Sequence, residues 1–98
     1  MLEEFLRENP DDAFARYGLA LEHVKAGDLE VGLREFRTLL EKNPDYTAGY
    51  QMAGQTLASA GRADEAIKML SDGIACARRT GNNHAVSEME SLLQELKP

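Results

Sequence analysis

Apolar side chains recur at spacings of three and four along most of this chain, and nowhere alternate with polar ones as a half-buried strand would require. Phe14, Tyr17, Leu19, Ala20, Leu21 and Val24 make one helical face, and Leu29, Leu33, Phe36, Leu39 and Leu40 make the next. Tyr50, Ala53 and Leu57 then serve a third helix, and Ala66, Ile67, Leu70 and Ile74 a fourth. Ala53, Gly54, Ala66 and Gly73 are small residues set where two helix backbones could approach closely, which would offset the helix propensity lost at each glycine, about 1 kcal/mol relative to alanine. At the far end Ala85, Met89, Leu92 and Leu96 form one stripe while Glu88, Glu90, Glu95 and Lys97 stay polar, as expected of a helix covering the end of a stack.

The breaks between these faces are periodic. Asn9-Pro10-Asp11 returns as Asn43-Pro44-Asp45, and Gly27 returns as Gly61, in both cases 34 residues later. Proline pushes the residue before it out of helical geometry, so each Asn-Pro ends one helix, and the acidic residues that follow suit the first turn of another. Glycine takes the left-handed conformation that closes a helix, so Gly27 and Gly61 divide each period into two helices, with Asp28 as an N-cap. The cluster Thr80 to Asn83 marks one more break. Leu2, Phe5 and Leu6 precede Phe36, Leu39 and Leu40 by the same interval, so the chain opens on a lone helix of the second type. The expected organisation is a single all-α domain: a packing helix at 1–9, one repeat at 11–42, a second at 45–79 and a capping helix at 83–97.

Composition narrows the function. With 98 residues, 43% hydrophobic and 29% charged, the chain suits one small folded domain rather than a disordered segment. The uncharged run from Tyr46 to Gly61 is too short and polar for a membrane span, and the acidic opening does not resemble a secretion signal. Together with a single cysteine, Cys76, these features predict a cytoplasmic protein with no membrane partner. The net charge of −6 and the lack of a basic stripe argue against nucleic acid. The one basic dipeptide, Arg78-Arg79, is placed to meet the negative end of a helix dipole.

No catalytic constellation emerges. Cys76 between Ala75 and Ala77 reads as a buried, inert thiol, because no histidine is placed to activate it. The carboxylates fall near helix starts or on polar faces, and the glycines form no phosphate loop. His23 and His84 stand in separate repeats without metal-ligand spacing, so neither a metal nor another cofactor is expected.

Taken together, these residues resemble the tetratricopeptide repeat (TPR) family. Tyr50, Ala53, Gly54, Leu57, Ala66 and Leu70 fill the pattern's places in the second repeat, with Arg78 where its proline would fall. Leu19, Ala20, Gly32, Phe36 and Pro44 fill them in the first, with Arg16 and His23 replacing two aromatics. The resemblance implies a right-handed α-solenoid of antiparallel helix pairs and a non-catalytic scaffold that binds a protein or peptide in a concave groove. Carried over by position, the groove would present Phe14, Tyr17, Leu21, Val24 and Lys25, then Ala48, Gln51, Gln55, Ala58 and Ser59. The family's Lys/Asn/Arg clamp for a terminal carboxylate is not matched, since Tyr17, Leu21 and Met52 stand in its places, so an apolar or aromatic anchor is expected instead.

Two alternatives stand beside this expectation. Phe14 and Tyr17 are equally readable as core, and Gln51, Gln55 and Ser59 as plain solvated surface. The chain is also readable as a self-association unit, a homodimer weakened by charge at Leu2, Phe5 or Leu92, or as a piece of a longer array.

Overall fold

The computed structural model describes residues 1–97, which contain six α-helices and no strand. They are α1 (Leu2–Glu8), α2 (Ala13–Lys25), α3 (Leu29–Lys42), α4 (Thr47–Ser59), α5 (Ala63–Arg79) and α6 (Asn83–Leu96). The chain forms two compact units, Met1–Pro44 and Asp45–Pro98. In the first, α2 packs on both α1 and α3; in the second, α5 packs on both α4 and α6, and α6 also touches α4.

Three helices end in the same way. Gly27, Gly61 and Gly81 have φ of 90°, 78° and 75°, a backbone region costly for residues with a Cβ. In each case the amide of the following residue donates to a carbonyl five residues back: Asp28 to His23, Arg62 to Leu57, and Asn82 to Ala77. These are the paired bonds of a Schellman closure, which satisfy carbonyls the helix leaves open. The Asn-Pro breaks work by another route. Asn9 (φ −133°, ψ 67°) and Asn43 (φ −136°, ψ 75°) leave helical geometry, and each sends both its backbone amide and its side-chain amide to one carbonyl, that of Phe5 or Leu39.

The acidic residues after each proline lie outside the first helical turn, where the sequence reading put them. Asp12 is the N-cap of α2 and accepts from the Ala15 amide at 2.9 Å, while Asp45 precedes the start of α4. Asp11 and Asp45 instead receive cations from the end of the second helix of their own unit's pair, Lys42 at 3.1 Å and Arg79 at 2.7 Å. Each pairing brings the start of α2 or α4 beside the end of α3 or α5, so the helices of each pair run antiparallel. Asp28 holds the N-cap position of α3 without a side-chain bond.

Small residues set the helix spacing inside each unit. A Cβ on Gly32 would lie 2.6 Å from Val24 Cγ2, and one on Gly54 would lie 2.5 Å from Leu70 Cδ2. At Gly73 it would meet Tyr50 Cβ at 2.6 Å and Met89 Sδ at 2.7 Å. The second unit's cluster joins Leu70, Ile74, Ala77, Ala85 and Met89, with Tyr50, Leu92 and Leu96 packed against it. Leu6, Ala15 and Leu19 cluster in the first, with Leu2 against them. Arg16, at an expected aromatic position, forms a 2.7 Å ion pair with Glu35 on α3 and also donates to the Pro10 carbonyl.

Candidate interaction site

α1 lies along α2 so that Leu2 and Phe5 face Phe14, Tyr17, Gly18 and Leu21 across a cleft of about 420 Å³. Asp12 and Ala15 complete its lining. The walls are almost wholly hydrocarbon, with Asp12 the one charged lining residue. Phe14 is 77% exposed and Phe5 45%, an uncommon exposure for phenylalanine. Helical geometry accounts for the grouping on α2: Phe14, Tyr17, Gly18, Leu21 and Lys25 fall at steps of three and four, hence on one face. Tyr17 is held from behind, its ring edge-on to Phe36 with centroids 6.3 Å apart, and burial pushes its hydroxyl pKa up.

Three of the expected groove residues, Phe14, Tyr17 and Leu21, thus meet in one cleft. Val24 is half-buried and turns to Gly32 on α3; Lys25 is exposed and makes no ion pair among the described residues. In the second unit, Gln51 and Ala58 are half-buried, whereas Ala48, Gln55 and Ser59 are exposed. The contributions of Leu2, Phe5 and Gly18 to the cleft were not read from the sequence, because they depend on how α1 lies on α2. The 34-residue echo of Leu2 and Phe5 was the one available signal.

The rest of the chain offers little for chemistry. Cys76 is 1% exposed, with its Sγ 3.4 Å from Thr47 Oγ1. Among the described residues no group of three His, Cys, Asp or Glu side chains gathers to hold a metal, and no helix is long and apolar enough to cross a membrane. His23 lies within 4.0 Å of Glu3 and Asp28, and His84 pairs with Glu88 at 3.1 Å. Arg78 pairs with Glu90 at 2.8 Å, and the hydrogen bond to Asp45 raises the pKa of Arg79. Both members of the basic dipeptide are therefore held by carboxylates of their own unit.

Residues 23–88 match the family model for the tetratricopeptide repeat. This chain belongs to the TPR family. A TPR repeat-containing protein of Pseudomonas aeruginosa is 32% identical over 95 residues, spanning 97% of this chain and 90% of that protein. The solution structure of a TPR domain protein from Salinibacter ruber is similar with a TM-score of 0.84 and 34% identity, covering 90% of this chain and 89% of that one. A protein from Bordetella parapertussis is similar with a TM-score of 0.82 and 25% identity, over 97% of this chain and 83% of that one. The all-α, TPR-like fold follows from these likenesses and from the helix pairs described above, and TPR domains generally serve as non-enzymatic protein-interaction scaffolds.

Within this TPR frame the cleft residues stand out against their own counterparts. α6 aligns with α2 through its cap: Asn82 accepts from the Ala85 amide as Asp12 accepts from that of Ala15. Ala15 and Leu19 then correspond to Ala85 and Met89, all four buried. On this alignment Phe14, Tyr17 and Leu21 correspond to His84, Ser87 and Ser91 on α6, and by the 34-residue period to Ala48, Gln51 and Gln55 on α4. The framework therefore accepts polar or small residues at all three places.

Proposed function

We propose that this TPR chain is a non-catalytic interaction module that receives an apolar segment of a protein partner in the α1–α2 cleft, with Phe14, Tyr17 and Leu21 as its anchoring surface. The observation that carries this reading is the contrast between helices of the same type. Equivalent positions on α4 and α6 hold alanine, glutamine, histidine or serine, so packing within the fold does not require the apolar set on α2. Exposed aromatic surface around a preformed cleft is the kind of feature that binds partners. Lys25 extends this face with a charge, Val24 supports it from the α3 side, and Gln51, Gln55 and Ser59 offer a separate polar contact face on α4. A free, buried thiol is compatible with the cytoplasm, where it stays reduced.

The test is affinity capture from cell extract with the full chain, comparing wild type with Phe14→Glu and with Ser87→Glu on α6. Phe14→Glu should lose the captured proteins while keeping native helicity, since Phe14 is largely exposed, and Ser87→Glu should retain them. Full retention by Phe14→Glu overturns the cleft as the docking site.

A further inference from the structure

We propose that the occupant of the α1–α2 cleft is a second copy of this chain, paired across a two-fold axis near Gly18; this rests on reading the cleft as a docking site. Three observations about the α2 face make it self-complementary. First, its ends carry opposite charge. Asp12 lines the cleft at the start of α2, and Lys25, on the same face at the other end, has no ion partner among the described residues. Two copies of α2 laid antiparallel bring Lys25 of each beside Asp12 of the other. Second, Gly18 lies midway, six residues after Asp12 and seven before Lys25, and itself lines the cleft. Leu2 Cδ1 lies 3.3 Å from where a Cβ on Gly18 would stand, so the two copies meet there through the Leu2 side chains that cover Gly18 rather than backbone to backbone. Third, the face supplies both a knob and a hole. Phe14 projects with 77% of its surface exposed, and the 420 Å³ space bounded by Leu2, Phe5, Tyr17 and Leu21 is large enough to admit an aromatic side chain. With the axis near Gly18, Phe14 of one copy faces the region of Leu21 in the other, and the insertion is reciprocal.

The aligned face of α6 shows why such pairing closes at two copies. It offers His84, Ser87 and Ser91 in place of Phe14, Tyr17 and Leu21, and Glu95 in place of Lys25. A face made of these residues has neither knob nor apolar hole. Association therefore uses one patch meeting itself, which gives a closed dimer, whereas contact between unlike patches would propagate into a filament.

The experiment is sedimentation velocity on the full chain across a wide concentration range, with four variants. Wild type should move from monomer to twice that mass as concentration rises. Phe14→Glu should shift the midpoint at least tenfold upward or abolish the dimer, with unchanged circular dichroism. Asp12→Asn keeps the capping oxygen but removes the charge, and Lys25→Gln removes its counterpart; each should weaken the dimer several-fold and make it less sensitive to salt. Ser87→Glu should leave it unchanged. A wild-type chain that stays monomeric at every concentration, or a dimer indifferent to Phe14→Glu, overturns the proposal. If the chain is monomeric and Phe14→Glu still loses proteins captured from extract, the docking site stands with a foreign occupant. If capture is also indifferent to Phe14→Glu, the docking site falls as well.

Discussion

At the scale of single residues, glycine controls how closely helices approach. Alanine at position 73 would gain about 1 kcal/mol in helix propensity, yet its methyl would meet Tyr50 Cβ, which is fixed to the α4 backbone, at 2.6 Å. Overpacking of this kind costs about 1–3 kcal/mol, so Gly73→Ala should lower the urea midpoint, with the slope of the transition unchanged. Ionisation of the tyrosines gives a second measurable effect. Burial raises the pKa of both Tyr17 and Tyr50, and the charges of Cys76 and Asp72 add to the shift at Tyr50. Both hydroxyls are neutral in either state below the unfolded pKa of about 10. Above it the unfolded chain loses protons that the folded chain retains, so stability must fall as pH rises through that range. Thermal melts between pH 8 and 11 should show the loss beginning near pH 10, and Tyr17→Phe should reduce it.

At the scale of helices, the caps are unequal in a way melting experiments can resolve. Asp12→Ala and Asn82→Ala each remove a side-chain acceptor from an N-terminal amide, a loss of about 1 kcal/mol, whereas Asp12→Asn should be close to neutral. Much at this scale was legible in the sequence. Asn-Pro and Ala-Gly breaks act through local backbone preference, so their 34-residue spacing revealed the helices, and Gly27 and Gly61 have the positive φ expected of them. The acidic residues after the prolines were misplaced because local propensity cannot distinguish a cap from a first turn; the hydrogen bond to Ala15 and the pairing with Lys42 decide that. Arg16 looked like a gap in the pattern until α3 brought Glu35 to it, with side chains only 15% and 24% exposed. The cleft was half legible for a related reason. Spacing of three and four put Phe14, Tyr17 and Leu21 on one face, but only packing of α1 adds Leu2 and Phe5.

At the scale of the whole molecule, the two compact units contain unequal probes, and the single thiol reports on the second. Leu70 is fully buried there, and Leu70→Ala should cost about 2–5 kcal/mol through the cavity it leaves. Cys76, 1% exposed, should then be alkylated at a lower urea concentration than in the wild type, in step with loss of helicity. The exposed pairs Asp11 with Lys42 and Asp45 with Arg79 contribute little to stability. Their importance is topological. Each shows that the polypeptide comes into a helix pair and leaves it at the same end, with the Ala-Gly turn at the opposite end. A helix pair built this way does not depend on the order in which its halves are synthesised. Cut at Gly61 and bridged by a short linker from Arg79 back to Asp45, the second pair would present α5 before α4 with the contacts between those two helices kept, at the expense of the link by which α6 brings Ala85 and Met89 onto Leu70 and Ile74.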